Sequence, residues 1–227
     1  TMAEKQHSAL QLGVAILLGY FSIAVAFGVA GRELGFSLMV LAGLSIFVFA
    51  GASQFLAIEL LAQGVGGVAV IAATFILNAR HIVMSLAIRN RIRGDQVPRP
   101  ILAFGITDEV FTSAATRIGP IRDTELLGME ALAYSGWVGG TVAGFVVGDF
   151  IPPAIESAMG IALYAMFVAL IVPGVLRFVR YGVVVVAAGA IHFGLTTLSL
   201  PRGPALLISI VLPAVIFAIF PGWSEES

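Results

Sequence analysis

"ILNARHIVMS", residues 76–85, decides how this chain is read. It lies inside an apolar segment, 66–88, long enough to cross about 30 Å of hydrocarbon, for which ~20 residues are needed. Asn78, Arg80 and His81 are among the side chains least tolerated at that depth, and such residues mark interior faces and functional sites. Helical geometry separates them. Thr74, Asn78, His81 and Ser85 stand at i, i+4, i+7 and i+11, so they form one polar stripe. Arg80 points off that stripe. It sits about 13 Å along the helix from Arg89, at 1.5 Å per residue. It either snorkels to the interface or pairs with an acid of its own.

The rest of the chain has the same character. It has 227 residues, 59% of them hydrophobic and only 11% charged, with a mean hydropathy of +1.04. A soluble domain of this size needs more polar surface than that. Six further apolar segments, near 9–31, 38–63, 128–149, 154–176, 181–199 and 204–221, bring the expected spans to seven. The predicted fold class is an all-α integral membrane protein, one transmembrane domain over 1–227. An inverted repeat of 9–88 and 128–199 is expected, linked by 101–117. The net charge of −1 and the lack of a basic face argue against nucleic acid. There is no cysteine, the three histidines are too scattered for a metal set, and no phosphate-binding loop is present. No cofactor is expected, and the chain is not read as an enzyme.

Segment 101–117 differs from the others. Thr107, Asp108, Glu109, Thr112, Ser113 and Thr116 form one broad polar stripe, which suits protein or water rather than lipid. Arg89, Arg91, Arg93 and Arg99 crowd the preceding loop, which is therefore expected in the cytoplasm. If 101–117 is re-entrant, Arg117 and Arg122 join them. The bias then favours a half-crossing segment and an N-terminus outside.

Within 38–63, "FVFAGASQFLAIELLA" (47–62) has small residues at its centre, which permit a broken helix. A half-helix N-terminus can hold a carboxylate. Gly51, Ser53 and Gln54, with Asn78, are the candidate carboxylate holders. Asp108 or Glu109 would take an ammonium, and the spacing leaves open which of the two faces Arg80. Phe49, Phe55 and Phe111 are candidate pocket walls. Arg80, His81, Asp108 and Glu109 are the candidates for charge pairing or proton coupling. Tyr20, Tyr134 and Trp137 either line a cavity or pack.

"FAGASQF" (49–55), "NARHIVMS" (78–85) and "FGITDEVF" (104–111), in this order and spacing, resemble the AzlC family. The resemblance covers roughly residues 9–200. It implies a permease of the bacterial cytoplasmic membrane for valine, leucine, isoleucine or related apolar amino acids; alternating access about a midplane site is the mechanism expected of such residues. It also implies a small AzlD-type membrane protein as partner. The same residues leave two other classes to weigh. One is a passive channel for small solutes. The other is an intramembrane serine protease on Ser53 and His192, for which "GASQ" lacks the usual second glycine.

Overall fold

The computed structural model describes residues 8–150 and 178–219, with 168, 172, 175 and 176 between them. The expected span 154–176 lies almost wholly outside these residues. What is described is helical apart from one pair of two-residue strands. Among the described residues three helices are long and apolar enough to cross a membrane by length and composition: Ala9–Glu33 (α1), the helix starting at Gly67 (α4, Gly67–Ile88) and Val179–Thr197 (α8).

Helix α1 starts where Ser8 and Gln11 form a capping box, Ser8 Oγ accepting from Gln11 N and Gln11 Oε1 from Ser8 N. It ends at Gly35, whose φ of +83° is open to glycine. Its main neighbour is α7 (Asp123–Val147). Gly136, Gly140 and Gly144 bring the two backbones together. A Cβ on each would fall 2.6, 2.5 and 2.1 Å from the carbonyl oxygens of Leu17, Phe21 and Val25. Small residues at four-residue spacing allow this approach. The residue numbers rise together along the contact, so α1 and α7 are parallel.

The expected single span 38–63 is two helices, α2 (Leu38–Phe47) and α3 (Gly51–Ala62). Phe49 adopts a left-handed φ of 44° at the break. Nine residues of straight helix would span about 13.5 Å, yet Gln54 Nε2 donates to Ser45 Oγ at 3.1 Å. The chain has folded back. Leu41 packs on Gly31 at the far end of α1, and Ser45 meets Thr141 at 2.8 Å. Tyr134 then donates to the Ile46 carbonyl near the tip. From the tip, α3 returns beside α4, where Ala57 and Leu60 cluster with Val70 and Ala73. Both ends of 38–62 therefore lie at the same end of the bundle.

Segment 101–117 is also a hairpin, α5 (Arg99–Gly105) and α6 (Asp108–Thr116). Strand β1 (Ile92–Arg93) precedes it and β2 (Ile121–Arg122) follows it, and the two pair in parallel, Ile92 with Ile121. The segment leaves and returns on one side. Arg91 locks that side by donating to the carbonyls of Ala115, Arg117 and Gly119. Asp123 closes the loop, accepting from the N–H groups of Gln96 (2.7 Å), Val97 (3.1 Å) and Thr124 (2.8 Å). Burial works to raise its pKa, but these backbone bonds, with Arg99 nearby, hold it below the usual carboxylate range.

The parallel packing of α1 and α7 corrects the predicted orientation. α7 begins at the arginine-rich end, so α1 begins there too, and the N-terminal end of the described chain shares that face. Arg32 sits at the opposite end, donating to the Phe145 carbonyl at 2.6 Å. The repeat expected of 9–88 and 128–199 required opposite directions for its first helices. What the structure has instead is a pair of hairpins entering from opposite ends. Helix α8 and α9 (Arg202–Ile219) run antiparallel, with Tyr181 on Phe217 at 5.6 Å and Ser209 on His192 at 3.4 Å.

Candidate functional site

The two hairpin tips meet midway along the bundle. Phe49 and Phe104 face each other with ring centroids 6.0 Å apart. Beside them is a small cavity of about 60 Å³, lined by Ala50, Gly51 and Ala52 of the first hairpin and by Thr107, Asp108 and Glu109 of the second. Arg80 and His81 of α4 complete its polar wall. Tyr20, Ile23, Phe49 and Trp137 supply the rest.

Arg80 Nη2 and Asp108 Oδ2 are 2.9 Å apart. Glu109 takes a different partner, accepting a hydrogen bond from the Tyr20 hydroxyl. The acids diverge by about 100° on the helix, as adjacent residues must. The cavity thus holds one paired acid and one acid anchored by a phenol. His81 Nε2, Arg80 Nε and Thr107 Oγ1 are buried without a hydrogen-bond partner.

The hairpins present unlike ends. A helix N-terminus exposes unpartnered N–H groups and carries partial positive charge. α6 neutralises its own end with Asp108 and Glu109 in its first turn. α3 has no acid there and no side-chain cap on Ala50. Its free N–H end opens on the cavity at Gly51 and Ala52. A Cβ on Gly51 would lie 2.5 Å from the Trp137 ring, so only glycine lets the indole cover this end.

Five predicted site residues do not line the cavity. Gln54, fully buried, is consumed by structure. Its Oε1 accepts from Ala50 N (3.1 Å) and Trp137 Nε1 (3.0 Å), and its amide donates to Ser45. Ser53 donates to the Ala50 carbonyl and accepts from Asn78 Nδ2 at 3.0 Å. These polar groups hold the hairpin tip rather than face the cavity. Phe55 packs on Phe27 at 5.2 Å, and Phe111 lies against the core. Thr74 of the polar stripe bonds to its own helix at Val70. In their place the cavity uses Tyr20, Ile23, Ala50, Ala52, Thr107 and Trp137. Thr107 was legible in the polar stripe, and Tyr20 and Trp137 as amphipathic aromatics. Nothing in the sequence singled out Ile23.

Opposed half-helices around a charged cavity, in so apolar a chain, define an all-α membrane protein with a polar site between its helices. The chain belongs to the AzlC family: the family described as AzlC protein matches residues 15–151. It is 32% identical over 225 residues to the inner membrane protein YgaZ of Escherichia coli, covering 93% of this chain and 90% of that one. It is 34% identical to an uncharacterized membrane protein of Archaeoglobus fulgidus, covering 93% and 91%. A protein of Bacillus subtilis named branched-chain amino acid transport protein AzlC is 24% identical over 168 residues, covering 73% and 66%. No solved structure matches. The family and these names point to transport of branched-chain amino acids rather than to an enzyme.

Proposed function

We propose that the chain is a secondary transporter exporting branched-chain or related apolar amino acids across the bacterial cytoplasmic membrane by alternating access. Its arginine-rich face would be cytoplasmic. Arg89, Arg91, Arg93, Arg99, Arg117 and Arg122 gather at one end, with Arg32 and Arg202 at the other, in line with the positive-inside bias. A small AzlD-type subunit would be its partner.

The observation that carries this reading is the unlike pair of helix ends facing one cavity. A zwitterion needs an anion holder and a cation holder a few ångströms apart. The uncapped start of α3 suits the carboxylate. Glu109, with Tyr20, suits the ammonium. Arg80 balances Asp108 so that the site is not over-charged. Ile23, Phe49 and Trp137 offer the apolar wall for a short aliphatic side chain. The cavity of about 60 Å³ is far smaller than the ~300–1,000 Å³ of an ordinary ligand pocket. Valine has eight non-hydrogen atoms, so loading requires the hairpin tips to part.

Radiolabelled valine counterflow in proteoliposomes, with and without the small partner, tests this. Saturable exchange that Glu109→Gln abolishes, at normal protein yield, is expected. Exchange at the wild-type rate in Glu109→Gln overturns the assignment, and non-saturating flux favours a passive channel. The protease alternative is not favoured, because Ser53 Oγ is engaged by Ala50 and Asn78 while His192 pairs with Ser209.

A further inference from the structure

Glu130 stands on α7 in a setting no part of the cavity explains. It is 3% exposed, and neither carboxylate oxygen has a hydrogen-bond partner. It lines a groove of about 200 Å³ with Phe49, Ile101, Phe104, Leu127 and Tyr134. Gly105, on the α5 arm of the second hairpin, packs directly on it, a Cβ there falling 2.5 Å from the Glu130 carboxyl carbon.

Apart from Glu130, no acidic or basic side chain among the described residues lines this groove. α5 contributes Gly105, Ile101 and Phe104, and the tip of the first hairpin contributes Phe49. α7 itself adds Tyr134, whose hydroxyl is used by the Ile46 carbonyl. Arg80, Asp108 and Glu109 lie across Phe49, which lines both the groove and the cavity. A carboxylate left charged here, with no donor, would be strongly destabilising. Structural buried acids find partners, and this one has none.

Its position along α7 adds the second half of the case. Asp123, Glu130 and Trp137 stand at i, i+7 and i+14, on one helix face. Glu130 is therefore about 10 Å from the arginine-rich end and about 10 Å from the cavity roof, at 1.5 Å per residue. The hairpin that presses on it through Gly105 is the one that carries Asp108 and Glu109 into the cavity.

We propose that Glu130 is the proton-coupling site, a single carboxyl that carries one proton per transport cycle. This rests on the transport reading given above. The carboxyl is protonated while α5 packs on it. It gives the proton to water on one side of the membrane when the hairpin separates from α7, and is reprotonated from the other side, in the opposite-facing state, before α5 packs on it again. Amino-acid exchange needs no net proton movement, whereas accumulation does.

The test uses the full chain with its co-expressed small partner in proteoliposomes. Glu130→Gln should keep valine counterflow at equal pH within about twofold, and lose valine accumulation driven by a pH gradient by at least about tenfold. Accumulation retained in Glu130→Gln overturns the proposal, as does loss of counterflow together with accumulation in a folded variant. Wild-type protein that shows counterflow but no accumulation driven by a pH gradient overturns the proposal alone, while absent wild-type counterflow overturns the transport reading beneath it. Dicyclohexylcarbodiimide, which modifies protonated carboxyls in apolar surroundings, gives a readout without transport. Labelling of wild-type Glu130 that declines as pH rises is expected. No label, or one constant with pH, overturns the proposal.

Discussion

Replacing Gln54 by methionine isolates what holds the first hairpin tip. The volume is nearly conserved, so packing changes little. Two buried donors, the Ala50 N–H and the Trp137 indole N–H, lose their acceptor. Ser45 keeps Thr141 at 2.8 Å. An orphaned buried donor is destabilising by about 1–3 kcal/mol. Measured side-chain bonds inside membrane proteins average nearer ~0.6, with a maximum of ~1.7. The sum for two donors is then about 2–4 kcal/mol. At roughly 2–4 °C per kcal/mol for a chain of this size, the melting temperature should fall by about 4–16 °C. The chain has no cysteine and two tryptophans, Trp137 and Trp223. Intrinsic tryptophan fluorescence in detergent can therefore follow unfolding, and Trp137 emission reports the lost bond directly. A melting temperature within about 1 °C of wild type, with unchanged emission, would falsify the role given to Gln54 and return it to the list of substrate contacts.

Three further outcomes follow from the same geometry. Arg80→Ala and Asp108→Asn should each cut valine counterflow at least about tenfold in protein that still folds, because the pair sets the charge balance of the cavity wall. The double variant should lose no more than either single one, and additive losses would show that the two act separately. Gly51→Ala places a methyl against the Trp137 ring, so flux should fall and Trp137 emission shift while expression persists; unchanged flux would remove the α3 start from the site. Asp123 has a lowered folded pKa, so its contribution is present above the unfolded value near 3.8 and is lost as pH falls through the folded value. Asp123→Asn should accordingly lower stability at pH 7 and flatten the decline below about pH 4 seen in wild-type melting curves.

How much of this was legible depended on whether the signal was local. The polar face of 101–117 and the arginines on both sides of it gave the re-entrant segment, because charge and period act within one element. The break in 38–63 was visible in its small residues, but its direction was not. A kinked crossing helix and a hairpin have the same composition, and the parity of the topology depends on the choice. Treating 38–63 as crossing put the N-terminus on the wrong side. The contact that settles it, Gln54 to Ser45, is one that an apolar count cannot register. For the same reason the sequence offers Gln54, Ser53 and Asn78 as substrate contacts, whereas the structure joins Ser53 to Asn78 and Gln54 to Trp137. Depth in the membrane shows that a polar group needs a partner, not whether the partner is substrate or protein. Glu130 carries no local signal, because one acid eight residues into α7 shares no motif or polar stripe that would mark it.

The asymmetry between the two hairpins also constrains what the cavity selects. Each tip begins a helix with its N–H groups aimed inward, and two such ends alone would favour a dianion. Asp108 and Glu109 cancel one end and overshoot it, while Arg80 restores the balance by taking Asp108. What remains is one uncapped helix start and one acid, Glu109, held by Tyr20. A partial positive helix end and one carboxylate complement a zwitterion better than a plain cation or a plain anion, on the function proposed above. On the proposed reading, the ligand must bring an ammonium and a carboxylate together, while the apolar wall of Ile23, Phe49 and Trp137 decides only which side chain follows. Discrimination among valine, leucine and isoleucine therefore rests on a methylene or two in an apolar pocket, worth about 1–3 kcal/mol each. A transporter built this way should accept several short aliphatic amino acids, and should reject an aliphatic amine or fatty acid of the same length far more strongly than it rejects any one of them.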